Sequence, residues 1–349
     1  MATTLYAGTR DGAYTIQGSG GQGSGGSWQI ASHGLKGWEV CGLLPSAGRP
    51  QEALAATRGD GVWLTRDAGQ SWRKPSYGKP GPGKVQCLAR DPKEPDRIVA
   101  GCEPIDLYVS EDLGATWRRQ PSLRDLPFMD AITYPVPGVE PHVRDITFDA
   151  VDPRKMYVAL QVGYMVRTQD GGQSWDLLDN GLDADVHTIV TDPASFERVT
   201  IATGGHDCRA GKAPGRALYN SQDGGRHWTP VAMEFGQEYS VPLVAHSAKP
   251  NVAYCCLAHG IPPWLDGSAE AVMIRSKDGG QTWQRLDTGG TPIGRYFAMA
   301  MAVDETDPEA IYAGLWSGQL VRSTDGGESW RTLDVQLSGA ITDLKCVTA

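Results

Sequence analysis

Four histidines, His142, His187, His206 and His259, are the first candidates for chemistry in this sequence. Several imidazoles brought to one place could ligate a divalent or ferrous metal ion, with Asp or Glu completing the shell. Alternatively, His142 or His187 could act as a general base near neutral pH, with Arg144 stabilising developing anionic charge. The segments His142-Val143-Arg144 and Asp185-Val186-His187 share one pattern. On neighbouring strands it would set His142 level with Asp185 and Arg144 level with His187. Glu39, Asp185 and Glu238 are candidates for the acid and base of a glycoside-cleaving pair. Arg144 and Arg295 could clamp an anion bidentately. His33, His227 and His246 read as structural.

The elements that must position these groups are set by a repeat. TRDAGQSW, SEDLGATW, TQDGGQSW, SQDGGRHW, SKDGGQTW and STDGGESW are six copies of [ST]-x-D-x-G-x-x-W, with aspartates at Asp67, Asp112, Asp170, Asp223, Asp278 and Asp325. The intervals are 45, 58, 53, 55 and 47 residues, the spacing of one small sheet per repeat. Asp-x-Gly supplies a side chain for nearby amides and then a residue that takes positive φ, the chemistry of a hairpin turn. The Trp fills the space between neighbouring sheets. The 44 glycines and 23 prolines suit many short strands rather than a helix bundle.

This motif resembles the Asp box, or bacterial neuraminidase repeat, of sialidases, sortilin-type receptors, xyloglucanases and photosystem II assembly factors. The resemblance covers nearly the whole chain and implies a β-propeller in which the box joins the third and fourth strands of a blade. Inner strands are expected to begin at Glu39, Lys84, His142, Asp185, Ser240, Arg295 and Ala340, giving an all-β, seven-bladed propeller as one domain over 1–349. Blade 1 is split: its inner strand comes from 340–347 and its other strands from 4–10, 13–17 and 27–31. Pairing the two chain ends closes the ring and removes open edges. Where a first box would fall, GSGGQGSGGS (18–27) reads as a loop that keeps only Trp28.

In such a ring the loops before inner strands and between second and third strands share the mouth of the central channel. Glu39, His142, Arg144, His187 and Glu238 are there as catalytic candidates. Lys84, Gln161, Tyr239, Trp264, Arg295 and Tyr296 would contact a ligand, and His142, His187, His206 and His259 are the metal candidates. Residues 118–141 form a long connection carrying Phe128, Met129, Tyr134 and several prolines, which reads as a lid or recognition wall. True sialidases use three arginines and an Arg-Ile-Pro element absent here.

Formal charge is −9, which argues against a nucleic-acid partner. No apolar run is long enough to span a membrane. The start MATTLYAGTRDG lacks a basic, apolar leader, and seven scattered cysteines suggest free thiols in a reducing cytoplasm. The functional expectation is a hydrolase or lyase of glycosidase-like type acting on a polar, anionic small molecule or saccharide. The alternatives are a protein-binding assembly scaffold or a metal-dependent enzyme. A monomer is the default.

Overall fold

The computed structural model describes residues 3–18, 26–46, 48–75 and 81–348. The stretch expected as a loop in place of the first box lies, at residues 19–25, outside them. Seven antiparallel sheets form a ring, each built from consecutive strands except the first. Blade 1 pairs the C-terminal strand Ile341–Thr348 with Thr3–Thr9, followed by Gly12–Gly18 and Trp28–Gly34. The register Thr3↔Thr348 to Gly8↔Asp343 joins the chain ends and closes the ring.

The six repeated turns share one hydrogen-bond network. In the turn of blade 6, Ser276 Oγ donates to Asp278 Oδ1 at 2.8 Å and accepts the Gly280 N–H at 2.9 Å. Asp278 Oδ1 also accepts the Thr282 N–H at 2.9 Å. Asp278 Oδ2 accepts from the Thr282 hydroxyl, and the remaining five turns repeat these bonds, with His227 Nδ1 in place of that hydroxyl in blade 5. The glycine two after each Asp is obligatory at Gly280: its φ is +84°, and a Cβ would meet Thr200 Oγ1 at 2.4 Å.

The tryptophans then join the blades. Trp283 packs with Leu218, Leu243 and Ile274, across the boundary of blades 5 and 6. Trp330 does the same between blades 6 and 7, and Trp175 between blades 3 and 4. Seven apolar clusters lie one at each boundary between adjacent blades. Trp28 packs on the boundary of blades 7 and 1 beside Tyr312, with ring centroids 5.7 Å apart.

Two expectations need correction. Arg295 and Tyr296 do not begin an inner strand; they belong to the one-turn helix Ile293–Tyr296, and the strand runs Ala298–Asp304. Phe297, at φ +45°, breaks the extended path between them. Blade 2 has three full strands, its fourth reduced to a bridge between Leu64 and Arg73.

Candidate functional site at the channel mouth

Every inner strand carries a bulge just after its first residues, and this builds the channel wall. Pairing skips Cys41, Gln86, Arg144, His187, Met299 and Thr342, and in blade 6 the pair Val241-Pro242. A bulge leaves a residue out of the ladder and re-aims its side chain. These side chains line a central cavity of about 170 Å³.

Inner strands have no partner on their channel side, so edge backbone groups need other bonds. Side chains of the preceding blade supply many of them. Asp145 Oδ2 accepts the Ile189 N–H at 2.8 Å, and Asp343 Oδ2 accepts the Leu43 N–H at 2.6 Å. His187 Nδ1 lies 2.6 Å from the Ser240 carbonyl, and the hydroxyls of Thr188 and Thr342 donate to the carbonyls of Val241 and Val40. Much of the polarity expected as chemistry therefore holds blades together. Arg144 stands apart: it is half-buried, lines the cavity, and has no hydrogen-bond or ion-pair partner among the described residues.

The charge of Arg144 acts on two neighbouring titratable groups, His142 and Asp185. His142 Nδ1 lies 3.0 Å from the Glu140 carbonyl; burial and the adjacent Arg144 push its pKa down to about 4, so the ring is neutral. His187 must donate Nδ1–H to the Ser240 carbonyl, which accepts only. Its Nε2 lies 3.3 Å from Asp185 Oδ1, a buried oxygen with no hydrogen-bond partner among the described residues. Burial works to raise Asp185, but His187 and Arg144 outweigh it and hold the carboxyl below its ordinary value. Gly204 is required behind this carboxylate, since a Cβ there would fall 2.0 Å from Asp185 Oδ2.

Two acidic clusters flank the centre. Buried Glu103 accepts from Gln86 at 2.6 Å and from Arg58 at 2.9 and 3.0 Å, with Lys84 at 3.3 Å. Burial raises it, but the Arg58 guanidinium foremost, with Lys84, outweighs that and holds the carboxyl below its ordinary value. Glu39 lies 3.6 Å from the same Arg58. On the other side Glu238 binds Arg216 at 2.8 Å and His259 Nδ1 at 2.9 Å.

The remaining candidates spread around the rim. Tyr239 contacts the rings of His187 and Trp264 at 5.4 and 5.7 Å, and Gln161 donates to the Tyr134 hydroxyl at 3.2 Å. Arg295 is exposed and donates to the Gly267 carbonyl. The 118–141 connection is divided: Leu123 and Met129 are buried between blades 3 and 4, whereas Tyr134 lies 6.0 Å from the His142 ring at the mouth. The four candidate metal histidines are not brought together. Among the described residues no three His, Cys, Asp or Glu side chains are grouped to hold a metal ion. His142, His187 and His259 instead direct Nδ1 to separate acceptors.

Arg58, Arg209 and Arg216 were not singled out from sequence. Arg58 and Arg209 follow second strands, as Gln161 does, and Glu103 ends one; that shared place in the blade was the available signal.

Comparison with known proteins agrees on the architecture. The family model described as "Sortilin, neurotensin receptor 3" (Sortilin-Vps10) matches residues 163–291, less than half of the chain. YCF48 from Cyanidioschyzon merolae superposes with TM-score 0.57 at 17% identity, covering 87% of this chain and 88% of that one. A structure described as YCF48 bound to D1 peptide gives TM-score 0.55 at 14% identity, covering 93% and 94%. The GH74 enzyme of Niastella koreensis gives TM-score 0.61 at 15% identity over 94% of this chain, which spans 46% of the enzyme's length. No curated protein sequence matches. At these identities the likeness establishes the propeller fold.

Proposed function

We propose that the channel mouth binds an anionic ligand through Arg144, and that the Asp185–His187 pair exchanges a proton with it, as in a hydrolase or lyase acting on a carboxylated small molecule or saccharide. The observation carrying this reading is the unpartnered Arg144 guanidinium in a concave wall where Asp145, His187, Thr188, Thr342 and Asp343 are already bonded to backbone groups. A guanidinium presents donors that match a carboxylate bidentately. The cavity of about 170 Å³ suits the anionic end of a ligand, with the remainder at the rim. The six turns support reading the chain as an Asp-box propeller.

The protonation pattern bears on the type of chemistry. A glycosidase of the two-carboxylate type needs one carboxyl raised enough to serve as an acid. Glu103 and Asp185 are both held below their ordinary values, which disfavours them in that role. His187, whose Nε2 lies 3.3 Å from Asp185, is the better candidate to give or take a proton, and Arg144 would neutralise a substrate carboxylate while it moves. His259, with Nδ1 toward Glu238 and its ring partly exposed, is a second candidate base.

Calorimetric titration with galacturonate and galactose, followed by assay for cleavage of galacturonate-containing substrates, tests this reading. Binding of the acid alone, turnover, and a fall of about a hundredfold in turnover in Asp185→Asn are expected. Equal binding of the neutral sugar, or binding indifferent to Arg144→Gln, overturns it. A scaffold reading is favoured by one comparison, the similar propeller bound to a peptide; peptide affinity without turnover would support it.

A further inference from the structure

Two tryptophans stay exposed on the channel-mouth face: Trp264 at 58% and Trp38 at 37%. An aromatic ring of this size is ordinarily buried, and leaving apolar area in water is unfavourable. Both rings are nevertheless seated in the same way, on a glycine of the loop joining second and third strands. A Cβ at Gly260 would meet Trp264 Cε3 at 2.9 Å, and one at Gly59 would meet Trp38 Cζ3 at 3.0 Å. Trp264 also sits edge-on to Tyr239, 5.7 Å between centroids, in the one-turn helix Pro262–Trp264.

The two seats stand on well-separated sectors of the ring, Trp264 in blade 6 and Trp38 just before the inner strand of blade 2. Arg144, in blade 4, lies between them on the longer way round. On the blade 6 side, ring contacts of 5.7 and 5.4 Å lead from Trp264 through Tyr239 to His187, and Arg144 lines the channel beside His187. One six-membered ring does not cover that path; linked rings do. Flat hydrophobic plates on either side of a guanidinium with no partner among the described residues match a chain of rings with apolar faces that places a carboxylate on Arg144.

From this we infer that the mouth takes an acidic oligosaccharide, with sugar rings stacked on Trp264 and Trp38 and one carboxylate on Arg144. The inference rests on the anion-binding role of Arg144 and adds the ligand's class and length. Pre-seated rings lose little conformational freedom on binding, which favours such plates as recognition surfaces.

The test is a length series of galacturonate, digalacturonate and hexagalacturonate, titrated into the full chain and into Trp264→Ala, Trp38→Ala, the double variant and Arg144→Gln. In the parent, affinity should rise from monomer to hexamer. Each tryptophan variant should lose about tenfold on the hexamer, with monomer binding unchanged, and thermal melting checks that each variant is folded. A hexamer binding no tighter than the monomer, or a gain surviving in the double variant, overturns the inference and leaves the anion site standing. Unchanged binding in Arg144→Gln overturns the anion site itself. Equal affinity for neutral hexasaccharide, or a preference for an aromatic peptide with a free C-terminal carboxylate, overturns the acidic-saccharide assignment.

Discussion

Replacing Arg144 by methionine separates recognition from architecture. The substitution keeps most of the apolar stem and removes a guanidinium that has no partner among the described residues, so nothing buried is orphaned. Stability should change by no more than about 0.5 kcal/mol. Ligand affinity should respond very differently. Two charge-assisted hydrogen bonds to a carboxylate, at about 1.5–3 kcal/mol each, put the loss at roughly 3 kcal/mol or more, beyond a hundredfold in Kd. The field of Arg144 also lowers both His142 and Asp185, so both should titrate higher in the variant. Galacturonate calorimetry, thermal melting and a histidine-detected NMR titration read all three effects. Unchanged affinity, or a large drop in melting temperature, would refute the argument, the second by showing that Arg144 holds the ring together.

Other predictions follow from the same structure. His142, depressed to about 4 from 6.5, is neutral when folded but takes a proton when unfolded, so its contribution is full above pH 6.5 and is lost as pH falls toward 4. Relative to His142→Gln, the parent should lose about 3 kcal/mol across that window in denaturant melts, and parallel pH profiles would contradict the assignment. Ser276→Ala strands the Gly280 N–H and should destabilise by roughly 1–3 kcal/mol in denaturant unfolding without altering ligand affinity, because the turn lies away from the mouth. Deleting residues 340–349 unpairs the strand Thr3–Thr9, and light scattering should then show aggregation at temperatures the parent survives; an equally stable monomer would refute closure by the chain ends.

The architecture was legible because one local motif carries it. Asp, Gly and Trp at fixed spacing specify a turn and a plug independent of distant residues; the resemblance they carry implied a propeller, and the count of seven inner strands gave the blade number. Arg295 and Tyr296 were placed at the start of an inner strand by equivalence with the other repeats, whereas the positive φ at Phe297 ends the helix they occupy. Arg58 escaped notice because its significance lies in buried Glu103 of the next blade, a partnership no local pattern encodes. Sequence also could not separate channel polarity that bonds backbone, as Asp145 and Asp343 do, from polarity left free. That distinction depends on bulge positions, and it is what isolates Arg144.

The most direct test of the anion site is a crystal structure of the full chain grown with galacturonate. The account predicts its carboxylate within hydrogen-bond distance of the Arg144 guanidinium, beside Asp185 at the channel mouth. A mouth that stays empty at saturating ligand, or a sugar bound elsewhere with Arg144 uncontacted, would contradict it.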